Sequence, residues 1–295
     1  MSPALTFVPI LLAALLALTF ALGWGIAGRV ARRWPPDPAC TPADLGLPAE
    51  RVTFQAEDGV EIGGWWTHGP DAPRPTVIFA PGLFGSLDGD THLVPEFVTA
   101  GFDVLQFDWR AHGVSGGDRP TLGVREIDDL RAALDFLAAW GVERVGLLGF
   151  SMGGAVALRV AAADPRVACV IADGPLVRVE AAFEGAFRER LGRPLPLVAR
   201  LLARLLEWRL GVRLGEASPL PHVGAISPRP VLFIHGADDP FVPPTDQDAL
   251  YAACGPPKAL WRVEGAGHRE AQQRAPDEYR ERVIGFFGQH LAVGD

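Results

Sequence analysis

Arg144-Val145-Gly146-Leu147-Leu148-Gly149-Phe150-Ser151-Met152-Gly153 is an apolar run that breaks at a serine between glycines and continues into the helix-forming stretch that starts at Met152. Short apolar runs of this length suit strands buried on both faces. Gly149-Phe150-Ser151-Met152-Gly153 therefore fits GxSxG in a strand–turn–helix context, where small flanking residues let the chain turn sharply enough to hold a serine hydroxyl free. The helix that opens there points backbone N–H groups toward charge developing on a substrate. The pattern alone is weak, because Gly113-Val114-Ser115-Gly116-Gly117 matches it too. Ser115 lies in a Gly-rich loop with no strand running directly into it, so context favours Ser151.

Similar apolar runs recur on both sides, at Thr76–Ala80, Val104–Phe107, Val167–Ile171, Pro230–His235 and Ala259–Val263. Between two of them Val124, Ile127, Leu130, Leu134, Leu137 and Trp140 fall at three- and four-residue steps, the spacing of an amphipathic helix. Further helical stretches are predicted from Pro95, Met152, Thr245 and Asp277. Alternating strands and helices predict an α/β architecture with a mainly parallel sheet. Ahead of it, Arg51–Ala56 and Val60–Trp66 flank Glu57-Asp58-Gly59 and predict a β-hairpin. The link from Ile171 to Pro230 is far longer than the dozen or so residues a crossover needs, so residues 176–222 are expected to form an inserted helical cap.

The chain has 295 residues, 48% apolar and 21% charged, which describes a globular protein with a large core. Its formal charge of −8 argues against nucleic acid as a partner, since phosphate binding needs clustered Lys and Arg. Cys40, Cys169 and Cys254 form no CxxC, and the seven histidines show no ligand spacing, so neither a disulfide framework nor a metal is implied. Residues 4–27, ALTFVPILLAALLALTFALGWGIA, carry no charge and are long enough to cross a bilayer core of ~30 Å. With Arg29, Arg32 and Arg33 following and no basic residue before it, this segment is expected to be a single-pass anchor that leaves the body in the cytoplasm; a cleaved signal peptide is the alternative. The predicted organisation is an anchor at 1–33, a Pro-rich linker at 34–50 and one catalytic domain at 51–295.

A serine hydroxyl is a weak nucleophile until a histidine takes its proton and a carboxylate orients that histidine. On strand–turn–helix serine sites the acid and then the base follow the serine in the chain. Asp239, in His235-Gly236-Ala237-Asp238-Asp239-Pro240-Phe241-Val242-Pro243, and His268, in Gly265-Ala266-Gly267-His268, each lie just past a predicted strand end, on the edge where Ser151 stands. His235, His112 and His92 are competing bases, and Asp173 is the competing acid.

Over residues 51–292 the sequence resembles the α/β-hydrolase superfamily, and it is similar to small membrane-tethered, esterase-like members with an opening hairpin, a GxSxG turn, an HGxxDxxVP acid loop and a GxGH histidine loop. The resemblance implies an α/β-hydrolase fold and makes Ser151 the nucleophile, Asp239 the acid and His268 the base, leaving Asp238 to a turn. Asp108-Trp109-Arg110-Ala111-His112-Gly113-Val114-Ser115 resembles the DxRGHGxS loop that shapes the site, with Ala111 in place of a glycine, and this accounts for the second GxSxG match. A tetrahedral intermediate needs donors for its oxyanion. The backbone N–H of Met152 is one; Pro81-Gly82-Leu83-Phe84-Gly85-Ser86 occupies the place of the HGxxGS loop, so the Leu83 N–H is the other, with Phe84 the alternative because Pro81 replaces the histidine.

Residues 195–210 of the cap, LPLVARLLARLLEWRL, are mostly apolar, with Arg200 and Arg204 on one helical face. Two readings stand: a helix packed over the sheet, or one that touches a bilayer. Either would roof an apolar pocket and favour a hydrophobic ester or thioester from a small or lipid-like molecule. The chemistry needs no cofactor. Peptidase and acyltransferase activity share the machinery, and a silent binding module on the same fold is the alternative outside enzymes.

Overall fold

The computed structural model describes residues 20–36, 41–69 and 74–291. Eight strands form one sheet in the order β1-β2-β4-β3-β5-β6-β7-β8. The hairpin is β1 (Ala49–Gln55) and β2 (Glu61–Thr67), paired antiparallel, and β2 also runs antiparallel to β4 (Asp103–Phe107). From there β4, β3 (Thr76–Ala80), β5 (Val145–Phe150), β6 (Val167–Asp173), β7 (Val231–Gly236) and β8 (Lys258–Val263) are all parallel. Every residue of β3, β4, β5, β6 and β7 is buried, as continuous apolar runs covered by helices on both faces require.

The helical part of the amino-terminal segment, α1, covers 20–30 among the described residues. The remaining helices are α2 (Val94–Thr99), α3 (Glu126–Ala139), α4 (Met152–Ala163), α5 (Val179–Leu191), α6 (Pro196–Leu210), α7 (Pro244–Ala253), α8 (Ala271–Arg274) and α9 (Pro276–His290). Glu126, Asp128 and Asp129 crowd the first turn of α3, where carboxylates oppose the positive end of the helix. One apolar cluster joins α3 and α4 to one face of the sheet through Leu130, Leu134, Val156 and Val160. A second joins α2 and α9 to the other through Phe97, Tyr279, Val283 and Phe287. Strands and helices fall close to their predicted positions, and α5 and α6 occupy the predicted insertion.

The expected membrane anchor finds no support among the described residues. Among the described residues no helix is long and apolar enough to cross a membrane, and residues 4–19 of the proposed span lie outside the described residues. The part that is described packs sideways on the body. Gly23 and Ala27 on α1 and Ala31 just past its end, four residues apart, form a buried stripe of small residues. That stripe allows close approach to α6, whose Leu205 and Leu202 lie where a side chain on Gly23 would project. Trp24 meets Trp208 at 5.0 Å between ring centroids, and the Arg209 guanidinium lies over the Trp24 ring, 4.6 Å from its centroid. Of the arginines expected to flank a bilayer, Arg33 is engaged with the body. Arg33 donates to the carbonyls of Gly113, Ser115 and Gly117, and Arg32 lies over Trp34.

Candidate active site

The turn between β5 and α4 is tight because two glycines permit it. A Cβ on Gly153 would sit 2.0 Å from the carbonyl oxygen of Ala80, and one on Gly149 would sit 2.6 Å from that of Gly153. Neither position can carry a side chain without moving backbone, so α4 starts hard against the ends of β3 and β5. Ser151 is held between them at φ 52° and ψ −113°, a conformation that L residues rarely adopt. Its N–H donates to the carbonyl of Asp173 on β6 at 2.8 Å, and its carbonyl accepts from Leu176 at 3.1 Å.

Asp239 and His268 come from the loops after β7 and β8, at the same edge of the sheet. The Ser151 hydroxyl donates to His268 Nε2 at 2.8 Å. His268 Nδ1–H donates to Asp239 Oδ2 at 2.7 Å, the tautomer that leaves Nε2 free to accept a proton. The second carboxylate oxygen, Oδ1, accepts from the N–H groups of Phe241 and Val242 at 2.8 and 2.9 Å. Asp239 thus has three donors while buried, which satisfies a charge removed from water. The ring of Phe241 stands edge-on to His268 at 5.2 Å and limits its tilt.

The competing residues are elsewhere occupied. Asp238 is exposed. His235 is buried, with Nε2 on the carbonyl of Val242 at 3.0 Å, so it braces the loop that carries Asp239. His112 Nδ1 meets the carbonyl of Arg110 at 2.9 Å, and His92 Nε2 meets Gln272 at 2.7 Å. The Ser115 hydroxyl donates to the Asp108 carbonyl at 2.7 Å and accepts from Gly63 N–H at 2.9 Å, a structural tie between loop and β2. Asp173 receives the Tyr279 hydroxyl at 2.9 Å, and burial pushes its carboxyl up to about 6, against the pull of Arg269 and that hydroxyl. It borders a second cavity, of about 330 Å³, that also touches His268.

Leu83 and Met152 both line an apolar cavity beside Ser151 and His268. The loop that carries Leu83 is pinned at its start, where Trp109 Nε1–H donates to the carbonyl of Pro81 at 2.8 Å. It is pinned further on by Asp108, which accepts from Leu87 N–H at 2.6 Å. Phe84 takes φ 66°, and its ring, partly exposed, borders the cavity beside Trp34. The cavity measures about 640 Å³ and is walled mainly by apolar side chains. Two features of it were not read from the sequence. The cap contributes mostly α5, through Val179, Ala182, Phe183, Ala186 and Phe187, whereas α6 supplies only Leu202. The three- and four-residue spacing along α5 was the signal available. Ile26, Val30 and Trp34, from the amino-terminal segment, form another part of the wall; nothing in the sequence places them there.

A family model described as alpha/beta hydrolase fold matches residues 75–217. The chain is 31% identical over 233 residues to the uncharacterized protein YqkD of Bacillus subtilis, covering 78% of this chain and 76% of that one. It is 28% identical over 248 residues to the uncharacterized protein YfhR of Escherichia coli K12, covering 81% and 80%. Among solved structures it is similar to the Pyrococcus furiosus esterase Pf2001, with a TM-score of 0.74, 28% identity, and coverage of 89% of this chain and 99% of that chain. Both the kinship with YqkD across most of each chain and the mainly parallel sheet beneath Ser151 lead to one assignment: the chain belongs to the α/β-hydrolase fold family.

Proposed function

We propose that this hydrolase is a serine esterase that cleaves carboxylic esters, or thioesters, of hydrophobic acyl groups through an acyl-enzyme. The observation that carries the reading is the continuous chain of hydrogen bonds from Ser151 through His268 to Asp239 at the floor of an apolar cavity. Ser151 Oγ attacks the carbonyl carbon while its proton passes to His268 Nε2, and the imidazolium is stabilised by Asp239. The carbonyl oxygen gains charge and is met by the backbone N–H groups of Met152 and Leu83. As the tetrahedral intermediate collapses, the C–O bond to the alcohol breaks and His268 returns the proton to it. Water then repeats the sequence on the acyl-enzyme and frees the acid. No cofactor enters any step. The likeness to an esterase of known structure adds support for ester over amide substrates. The charge-free run at 4–27 supports attachment to a membrane, with the arginines after it favouring a cytoplasmic body; resistance to alkaline carbonate extraction would test the attachment.

The test is hydrolysis of a p-nitrophenyl ester series from acetyl to palmitoyl by the native chain and by Ser151→Ala. Medium or long acyl chains should be preferred, and the substitution should lower kcat by roughly 10⁴-fold or more. Turnover that survives Ser151→Ala would overturn the reading. Failure of a fluorophosphonate to label Ser151 in folded protein would favour a silent binding module.

A further inference from the structure

We propose that the catalytic cavity takes an ester with an apolar body and one anionic oxygen group, phosphate or carboxylate, held by Arg29 and Arg190. This deepens the esterase reading and rests on it for the placement of the ester at Ser151.

The first argument is charge. Among the described residues, Arg29 and Arg190 are, apart from His268, the only ionisable side chains that line the cavity, and no carboxylate does. In a chain of formal charge −8, a substrate cavity whose fixed charges are both positive selects against cationic ligands and for anionic ones.

The second is partnering. Several neighbouring arginines are satisfied by protein, Arg33 by three backbone carbonyls, Arg178 by Asp246, Arg188 by the carbonyl of Pro240 and Arg204 by Glu207, whereas the exposed Arg193 and Arg200, which do not line the cavity, form no ion pair among the described residues. Arg29 and Arg190 form no ion pair among the described residues, although each stands on a face turned to the cavity.

The third is the pattern of those faces. On α5, Val179, Ala182, Phe183, Ala186 and Phe187 make one helical stripe along the cavity, and Arg190 is its next member. Val179 is near the Ser151 end, since Leu176 N–H donates to the Ser151 carbonyl. At 1.5 Å per residue the stripe runs about 16 Å before it meets the arginine. On α1, Arg29 lines the same space as Ile26 and Val30, at the edge of their face. Each helix thus brings a single arginine, exposed and with a guanidinium suited to phosphate and carboxylate oxygens, to an otherwise apolar wall. The competing role for such arginines is to cover apolar surface with their methylene stems. Methionine keeps most of the stem and removes the charge, so it separates the two.

The experiment is calorimetric titration of the full chain carrying Ser151→Ala with two matched pairs, below their micellar concentrations. One pair is 1-lauroylglycerol 3-phosphate against 1-lauroylglycerol, with the anion on the alcohol side. The other is monomethyl dodecanedioate against methyl laurate, with the anion at the end of the acyl chain. In at least one pair the anionic member should bind about tenfold tighter or more, and the pair that shows it identifies the source of the anion. Arg29→Met with Arg190→Met should remove the advantage, Lys at both positions should restore most of it, and Arg200→Gln, outside the cavity, should leave it in place. Equal binding within both pairs, or an advantage that survives the double Met substitution, would overturn the proposal. Hydrolysis of the same esters by the native chain tests the esterase reading separately. Anion preference without turnover would remove only that reading, and turnover without preference would remove only the anion site.

Discussion

The indole of Trp34 lies 4.2 Å, centroid to centroid, from the ring of Phe84. The residue that leads out of α1 therefore touches the loop whose Leu83 N–H is proposed to serve an oxyanion. Trp34 is itself fixed, since its N–H donates to the Ala111 carbonyl and its carbonyl accepts from Gly113. An aromatic pair of this kind contributes about 0.5–1.5 kcal/mol beyond the area it buries. Trp34→Ala should lower kcat/KM for a lauroyl ester by roughly tenfold, a lost contact together with a loosened loop, and Trp34→Phe should recover most of it. Steady-state kinetics of the two variants checks this; an unchanged Trp34→Ala would show that the amino-terminal segment is dispensable for the site.

Two buried aspartates stand close to the site, and they should behave differently when neutralised. Asp239 accepts from His268, while Asp173 accepts from Tyr279. Asp239→Asn reverses the polarity needed to hold the His268 tautomer, and in a comparable triad this costs about 10⁴-fold in kcat. Asp173→Asn leaves that hydrogen bond untouched and should change kcat by less than about threefold. Parallel kcat measurements decide, and a collapse in the Asp173 variant alone would move the acid to β6.

Much of this was legible because local signals agreed with one another. The apolar runs that became β3, β5 and β7 are bounded by turn residues and too short for helices, and Ser151, Asp239 and His268 each follow such a run. The amino-terminal segment was less legible, for a physical reason. A charge-free apolar stretch satisfies the length rule for a bilayer, but the same small residues, Gly23, Ala27 and Ala31, suit close packing on another helix equally well. Pattern alone does not say which apolar surface a helix face will meet. The cap shows the same limit: the more apolar α6 drew notice, yet its buried face serves the packing against α1, and the less apolar α5 forms the cavity wall.

Gly153 should be the least replaceable residue of the turn outside the triad. A methyl group there would overlap the carbonyl oxygens of both Ala80 and Pro81, at 2.0 and 2.4 Å, so β3 and α4 would have to separate. Gly153→Ala should lower stability by about 3 kcal/mol or more, at the upper end of overpacking costs. At Gly154 the nearest neighbours are at 3.0 and 3.2 Å, and Gly154→Ala should cost less. Urea denaturation of both variants orders them; equal stabilities would show that the turn relaxes.

The Asp173 carboxyl gives a pH signature that can be isolated by difference. It is buried, and its pKa is raised by that burial from 3.8 to about 6. Between roughly pH 4 and pH 6 the folded protein therefore keeps a proton that the unfolded chain has released. With more protons bound in the folded state, stability falls as pH rises through this window, by about 3 kcal/mol in total, and stays level with respect to this group above it. Carboxylates such as Asp58 and Asp164, whose pKa values are lowered by hydrogen bonds and charge from Arg110 and Arg166 despite their own desolvation, act in the opposite sense. The net slope of the native protein therefore mixes both signs. Asp173→Asn removes the one and keeps the others, while its amide oxygen can still accept from Tyr279. Relative to the native chain, the variant should gain stability by up to about 3 kcal/mol on going from pH 4 to pH 7. Urea denaturation of both proteins at the two pH values measures that difference directly; a difference independent of pH would mean that Asp173 is ionised throughout and that Arg269 outweighs its burial.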